Sequence, residues 1–162
     1  MNIRLKGKYL YYLNNKVKCS VGKNGISKNK QEGDLKTPRG IFKLKKIFYR
    51  KDRIKFIKTP LKKKYIKKNI GWCDDPTSNY YNKEIKFPFK DSAEKLWRKD
   101  NIYDLIIVLN YNSNPIIKNK GSAIFLHICK KNYTPTKGCI AINKKDMMNL
   151  IIYIKNNTKL II

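Results

Sequence analysis

The clearest hydrophobic pattern lies in the second half of the chain. Tyr103 to Tyr111, YDLIIVLNY, is a near-continuous apolar run rich in β-branched residues, which predicts a central strand buried on both faces. Ala123 to Ile128 and Cys139 to Ile142 are shorter runs of the same kind and predict two more buried strands. Ile3 to Val21 alternates apolar and polar residues loosely, as one or two edge strands turning at Asn14 and Asn15 would. A polar segment ending in Gly33 to Gly40 leads into a strand over Ile41 to Phe48. In that segment Asp34 can bond its own backbone, Pro38 fixes φ and Gly40 permits positive φ, so it reads as a rigid, shaped turn, a structural loop in preference to a binding loop.

Helical patterning is confined to two places. Ser92 is placed to cap a short helix, Ala93 to Lys99, with Glu94 in its first turn. Asn143 caps a longer one over roughly Lys144 to Lys155, in which Met147, Leu150, Ile151 and Ile154 share an apolar face. Leu160 to Ile162 predicts a last strand. The expectation is a mainly β fold with a few short helices, one domain over residues 1–162 with no internal repeat or linker.

From Lys43 to Lys68 lysines and aromatics interleave, KLKKIFYRKDRIKFIKTPLKKKYIKK. Such a stretch can hold a single-stranded nucleic acid by stacking and charge. Equally, it can form two exposed strands with Ile54, Phe56 and Ile57 turned inward, the reading the pattern favours. The formal net charge of +27 raises the same choice for the whole chain. Arginine, the residue that reads phosphates and bases bidentately, occurs only at positions 4, 39, 50, 53 and 98, while Ile and Asn are also heavily used. A solvated lysine coat from compositional bias therefore accounts for most of the charge, and no specific nucleic-acid partner is expected. The N-terminal stretch lacks the apolar segment of a signal peptide and no run of 18 apolar residues occurs, which predicts a soluble chain without a transmembrane span.

Candidate chemistry is scarce, and that narrows it. Cys19, Cys73, Cys129 and Cys139 form no C-x-x-C pair, and with one histidine they supply no zinc site of the usual kinds. Their spacing leaves disulfide pairing of Cys19, Cys73 or Cys129 open. Asp74 and Asp75 are adjacent before Pro76, an ordinary turn start rather than an acid and base pair. What remains is His127 at the end of one predicted strand and Cys139 at the start of another. If those strands lie side by side, an imidazole meets a thiol, and the thiolate is the form that attacks carbonyls. Lys137 adds a cation beside the thiol, Thr136 a hydroxyl, and Gly138 leaves backbone N–H groups room to face an oxyanion.

Four segments, in this order, resemble one family. GDLKTPRGIF at Gly33 to Phe42, WCDDPTSNYYN at Trp72 to Asn82, SAEKLW at Ser92 to Trp97, and GSAIFLHI joined to TPTKGCIAI between Gly121 and Ile142 look like the L,D-transpeptidase catalytic domain of the YkuD type, in its compact single-domain bacterial subgroup. The resemblance implies a sandwich-like or barrel-like β fold, Cys139 as nucleophile and His127 as general base, with Thr136 and Gly138 at the motif's Ser/Thr and glycine positions. Lys137 stands where the best-known members have a second histidine, and Ala141 where many have asparagine or arginine.

The activity implied is acyl transfer from a peptidoglycan tetrapeptide stem, releasing D-alanine, to an amine on a neighbouring stem, giving a 3-3 cross-link. The Lys137, Gly138 and Cys139 amides would hold the oxyanion, and the Ile128 carbonyl would orient the imidazole. Thr136, Lys137 and Arg39 are expected to contact substrate, and neither cofactor nor metal is called for. Water as acceptor would make the same site an L,D-carboxypeptidase or a related cysteine amidase. A basic, non-catalytic module for anionic polymer or nucleic acid is the reading from another class. The family's substrate implies the cell envelope or periplasm, while the lack of a signal peptide keeps a cytoplasmic location as the alternative.

Overall fold

The computed structural model describes residues 1–162. Three strands open the chain, β1 (Asn2–Lys6), β2 (Tyr9–Tyr12) and β3 (Asn15–Ser20), one more than the loosest reading of the pattern. They turn at Gly7 and at Leu13, both with positive φ, so the second turn falls one residue before the predicted asparagine pair. The two-residue strands β4 (Ile26–Ser27) and β5 (Thr37–Pro38) pair in the polar segment that precedes the long β6 (Ile41–Tyr49). After β7 (Lys62–Tyr65) come β8 (Ile70–Cys73), β9 (Glu84–Lys86) and β10 (Ala93–Lys95). The chain then forms β11 (Leu105–Leu109), β12 (Phe125–Ile128), β13 (Ile140–Ile142), α1 (Lys144–Tyr153) and β14 (Lys159–Ile161).

The main sheet runs β11-β12-β13-β3-β2-β1-β14-β6-β7, and a further pairing of β11 with β6 closes eight of its strands into a barrel. Closure leaves only β7 as a free edge, and all four of its residues, Lys62 to Tyr65, are exposed, three of them lysines. The barrel interior holds the larger hydrophobic cluster, including Leu10, Val17, Ile47, Ile107, Leu126 and Ile140, with Met147, Leu150 and Ile151 of α1 packed onto it. As the sequence pattern requires, Asn143 caps α1 by accepting the Asp146 amide at 2.8 Å.

A second, smaller cluster lies on the outer face of the same strands. It joins Phe48, Ile106, Val108 and Phe125 to Ile70, Trp72, Leu96 and Tyr103 beneath the small sheet β10-β8-β9. β11 is therefore apolar at every position because both of its faces are covered, as its continuous run implies.

Two expectations fail. Ala93 to Lys99 is not a helix: β10 pairs antiparallel with β8, and Leu96 is fully buried. A helix that short is poorly nucleated, and the open edge of β8 offers a hydrogen-bonded alternative. Ser92 consequently donates to the Asp74 carboxylate at 2.7 Å instead of capping. In the basic segment Ile54 and Ile57 do turn inward, but Phe56 is 71% exposed. All four cysteines are free thiols, so no disulfide joins Cys19, Cys73 or Cys129. No helix is long and apolar enough to cross a membrane.

Candidate active site

Parallel pairing of β12 with β13 sets Leu126 beside Ile140 and His127 beside Ala141. Because side chains alternate along a strand, this register puts Phe125, His127, Cys139 and Ala141 on one face and Leu126, Ile128, Ile140 and Ile142 on the other. The second group faces the barrel interior; the first faces outward toward the smaller cluster. His127 and Cys139 thus stand on adjacent strands, same side, two positions apart. Both line a cavity of about 510 Å³ together with Lys30, Glu94, Tyr103 and Thr136.

The thiol is held by backbone on two sides. Its Sγ donates to the Ala123 carbonyl at 3.1 Å and accepts from the Phe125 N–H at 3.3 Å. Ala123 reaches it because its own φ is +50°, a left-handed conformation unusual for alanine. Asn82 supports that turn, accepting the Ala123 N–H at 3.0 Å while its amide donates to the carbonyls of Tyr111 and Asn112. Burial pushes the Cys139 thiol up to about 12, with the Glu94 carboxylate adding to the rise; the Phe125 amide and the Lys30 ammonium oppose it. The cation that helps the thiolate is therefore Lys30, and the expected part for Lys137 there is corrected. Lys30 is 4% exposed and anchored on Asp34 at 2.5 Å, whereas the Lys137 side chain is in solvent at the cavity rim.

His127 is buried and its Nδ1 lies 2.8 Å from the Ile128 carbonyl oxygen. Burial lowers its pKa to about 4. At neutral pH the ring is therefore uncharged, Nδ1 carries the proton that bonds Ile128, and Nε2 is left as a base. The Tyr103 ring packs edge-on against the imidazole, centroids 5.2 Å apart.

Gly138 sits at φ +139°, and a side chain there would come within 2.8 Å of the Lys36 carbonyl. The predicted turn after Gly33 is thus the wall against which the Cys139 loop leans. Thr136 ties the loop from within: its Oγ1 donates to the Cys139 carbonyl at 2.6 Å and accepts the Gly138 N–H at 3.1 Å. That bond commits the Gly138 amide, which corrects its expected place among the oxyanion donors. The Lys137 and Cys139 amides make no hydrogen bond within the protein.

Arg39 is also displaced from its expected role. In β5 Thr37 points inward, fully buried and accepting the Gly22 N–H at 2.8 Å; the chain turns outward after Pro38 and leaves Arg39 exposed, outside the cavity. The arginine that does line the cavity is Arg98, paired with Asp100 at 2.8 Å. Sequence reasoning also passed over Glu94, Tyr103 and Lys30, which only the folded chain brings to the thiol. The SAEKLW segment was the one signal pointing to Glu94.

No curated protein matches this chain. A family model described as the L,D-transpeptidase catalytic domain, YkuD, matches residues 2–162. With the closed β barrel and a Cys–His cavity on two adjacent strands already in view, this match over essentially the whole length means that the chain belongs to the YkuD family of L,D-transpeptidase catalytic domains.

Proposed function

We propose that the protein is a peptidoglycan L,D-transpeptidase in which Cys139 is the nucleophile and His127 the general base. The observation that carries this is the shared outward face of β12 and β13, which lines one cavity with both side chains. Cys139 attacks the carbonyl of the third residue of a tetrapeptide stem, its proton passing to Nε2 of His127, and the terminal D-alanine leaves with a proton from the imidazolium. The thioester is then attacked by an amine of a neighbouring stem, giving a 3-3 cross-link. Since the resting thiol sits high and the imidazole low, a standing thiolate–imidazolium pair is disfavoured in the empty cavity. The proton therefore moves as the C–S bond forms, a general-base step of the kind worth about 10²–10⁴ in rate.

The Ile128 carbonyl holds the imidazole in the tautomer this step needs. The free amides of Lys137 and Cys139 are the oxyanion donors, each worth on the order of 3 kcal/mol. Gly138 and Thr136 keep that loop in shape. Lys130 and Lys137 at the rim suit the free carboxylates of a stem peptide. Such a substrate puts the work in the cell envelope. The test is mass spectrometry of a disaccharide tetrapeptide incubated with the protein: a dimer lacking one D-alanine supports the reading. Cys139→Ala must abolish it; release of D-alanine without a dimer would mean that water is the acceptor.

A further inference from the structure

The cavity holds an anomaly of charge. In a chain with 38 basic and 11 acidic residues, Glu32, Asp74 and Glu94 line it without an ion pair to any lysine or arginine. Each accepts a hydroxyl hydrogen bond instead: Glu32 from Tyr81, Asp74 from Ser92 and Glu94 from Tyr103. The cavity's cations are either spoken for, as Lys30 is by Asp34 and Arg98 by Asp100, or stand at the exposed rim, as Lys130 and Lys137 do.

Of the three carboxylates, Glu94 is the one whose charge is felt at the Cys139 thiol. It projects from β10, half-buried, and Tyr103 donates to its Oε1 at 2.9 Å. The same Tyr103 ring packs against His127. Tyr103 therefore fixes the carboxylate relative to the imidazole, with Arg98, Asp74 and Lys137 as its other charged neighbours. Burial raises the carboxyl above its ordinary range, which makes it a better proton acceptor than an exposed glutamate.

We propose that Glu94 receives the amine that attacks the acyl-enzyme, holding it as an ammonium on arrival and taking the proton that must leave before nitrogen can bond carbon. This rests on Cys139 forming a thioester. The ammonium gives one proton to the Glu94 carboxylate; the freed lone pair forms the C–N bond as the C–S bond breaks; the second proton passes from nitrogen through His127 to the departing sulfur. The products are amide, Cys139 thiol and Glu94 carboxylic acid, which returns its proton to solvent. Water, being neutral, gains no ion pair at this site, so Glu94 favours amine over hydrolysis by holding the ammonium beside the thioester.

The experiment acylates Cys139 with p-nitrophenyl acetate and measures how the acyl-enzyme partitions among water, diaminopimelate, which arrives as an ammonium, and hydroxylamine, which is uncharged at neutral pH. Partitioning from a common intermediate is independent of how fast it formed. Glu94→Gln keeps an acceptor for the Tyr103 hydroxyl but loses the charge. It is expected to lower the preference for diaminopimelate over hydroxylamine by about tenfold or more, the worth of one hydrogen bond to a charged group. Glu94→Asp should retain most of that preference. An unchanged preference, or an equal fall for both amines, overturns the assignment. Failure of the ester to acylate wild-type Cys139 would instead remove the nucleophile itself, and this inference with it.

Discussion

Asn82 accepts the Ala123 N–H at 3.0 Å, and the Ala123 carbonyl accepts the Cys139 thiol at 3.1 Å. One buried asparagine thus sets the position of the sulfur through a single residue of strained backbone. The same Oδ1 takes the Trp72 indole N–H at 2.9 Å, so the turn after β8 and the entrance to β12 share one anchor.

Asn82→Ala leaves the indole donor and the Ala123 amide without their acceptor. We expect a loss of about 2–3 kcal/mol in urea unfolding, the usual cost of stranding buried polar groups. Acylation of Cys139 should slow as well, because Ala123 is freed to relax from φ +50°. Full stability together with full acylation would show that the anchor does not matter.

His127 gives a pH signature for stability. Its folded pKa is lowered from 6.5 to about 4, so between these values the unfolded chain binds the proton and the folded chain does not. Stability from this group is complete above about pH 6.5 and lost as pH falls toward 4, by about 3 kcal/mol. His127→Gln should flatten this part of the stability profile between pH 7 and pH 4. A variant whose acid destabilisation matches wild type would refute the buried neutral imidazole.

Cys139 has the opposite sign. Its thiol is raised from 9.0 to about 12, so alkylation by iodoacetamide should be slow at neutral pH and keep rising well above pH 9. In Glu94→Gln, with the neighbouring negative charge removed, the rise should move to lower pH. A thiol that titrates near its ordinary value in the wild type would contradict the burial described here.

Gly138→Ala tests the loop. The residue sits at φ +139° and its Cβ would meet the Lys36 carbonyl at 2.8 Å, so the loop must shift. We expect a cost on the order of 1–3 kcal/mol and a larger proportional loss of acyl transfer, because the Lys137 and Cys139 amides move with it. Wild-type turnover in this variant would argue against those amides as oxyanion donors.

Arg39 and Lys137 separate rim from surface. Arg39→Ala should leave the KM for an anionic stem peptide unchanged, since Arg39 lies outside the cavity. Lys137→Ala should raise it a few-fold, with the effect fading in high salt.

By itself the sequence determined β11, apolar at every position, and β12, apolar but for His127, because burial on both faces leaves little other pattern. It also determined α1, whose cap and apolar face are local, and it singled out His127 and Cys139 by the scarcity of other candidates. Only tertiary structure decided what depends on contacts distant in sequence. Residues 93–95 became a strand because β8 offered an edge, the Gly138 amide was taken by Thr136, and Arg39 was left in solvent where the chain turns outward after the buried pair of β5. Glu94 reached the thiol for the same reason. Its place is set by a sheet pairing and a tyrosine hydroxyl, which no local run of residues encodes.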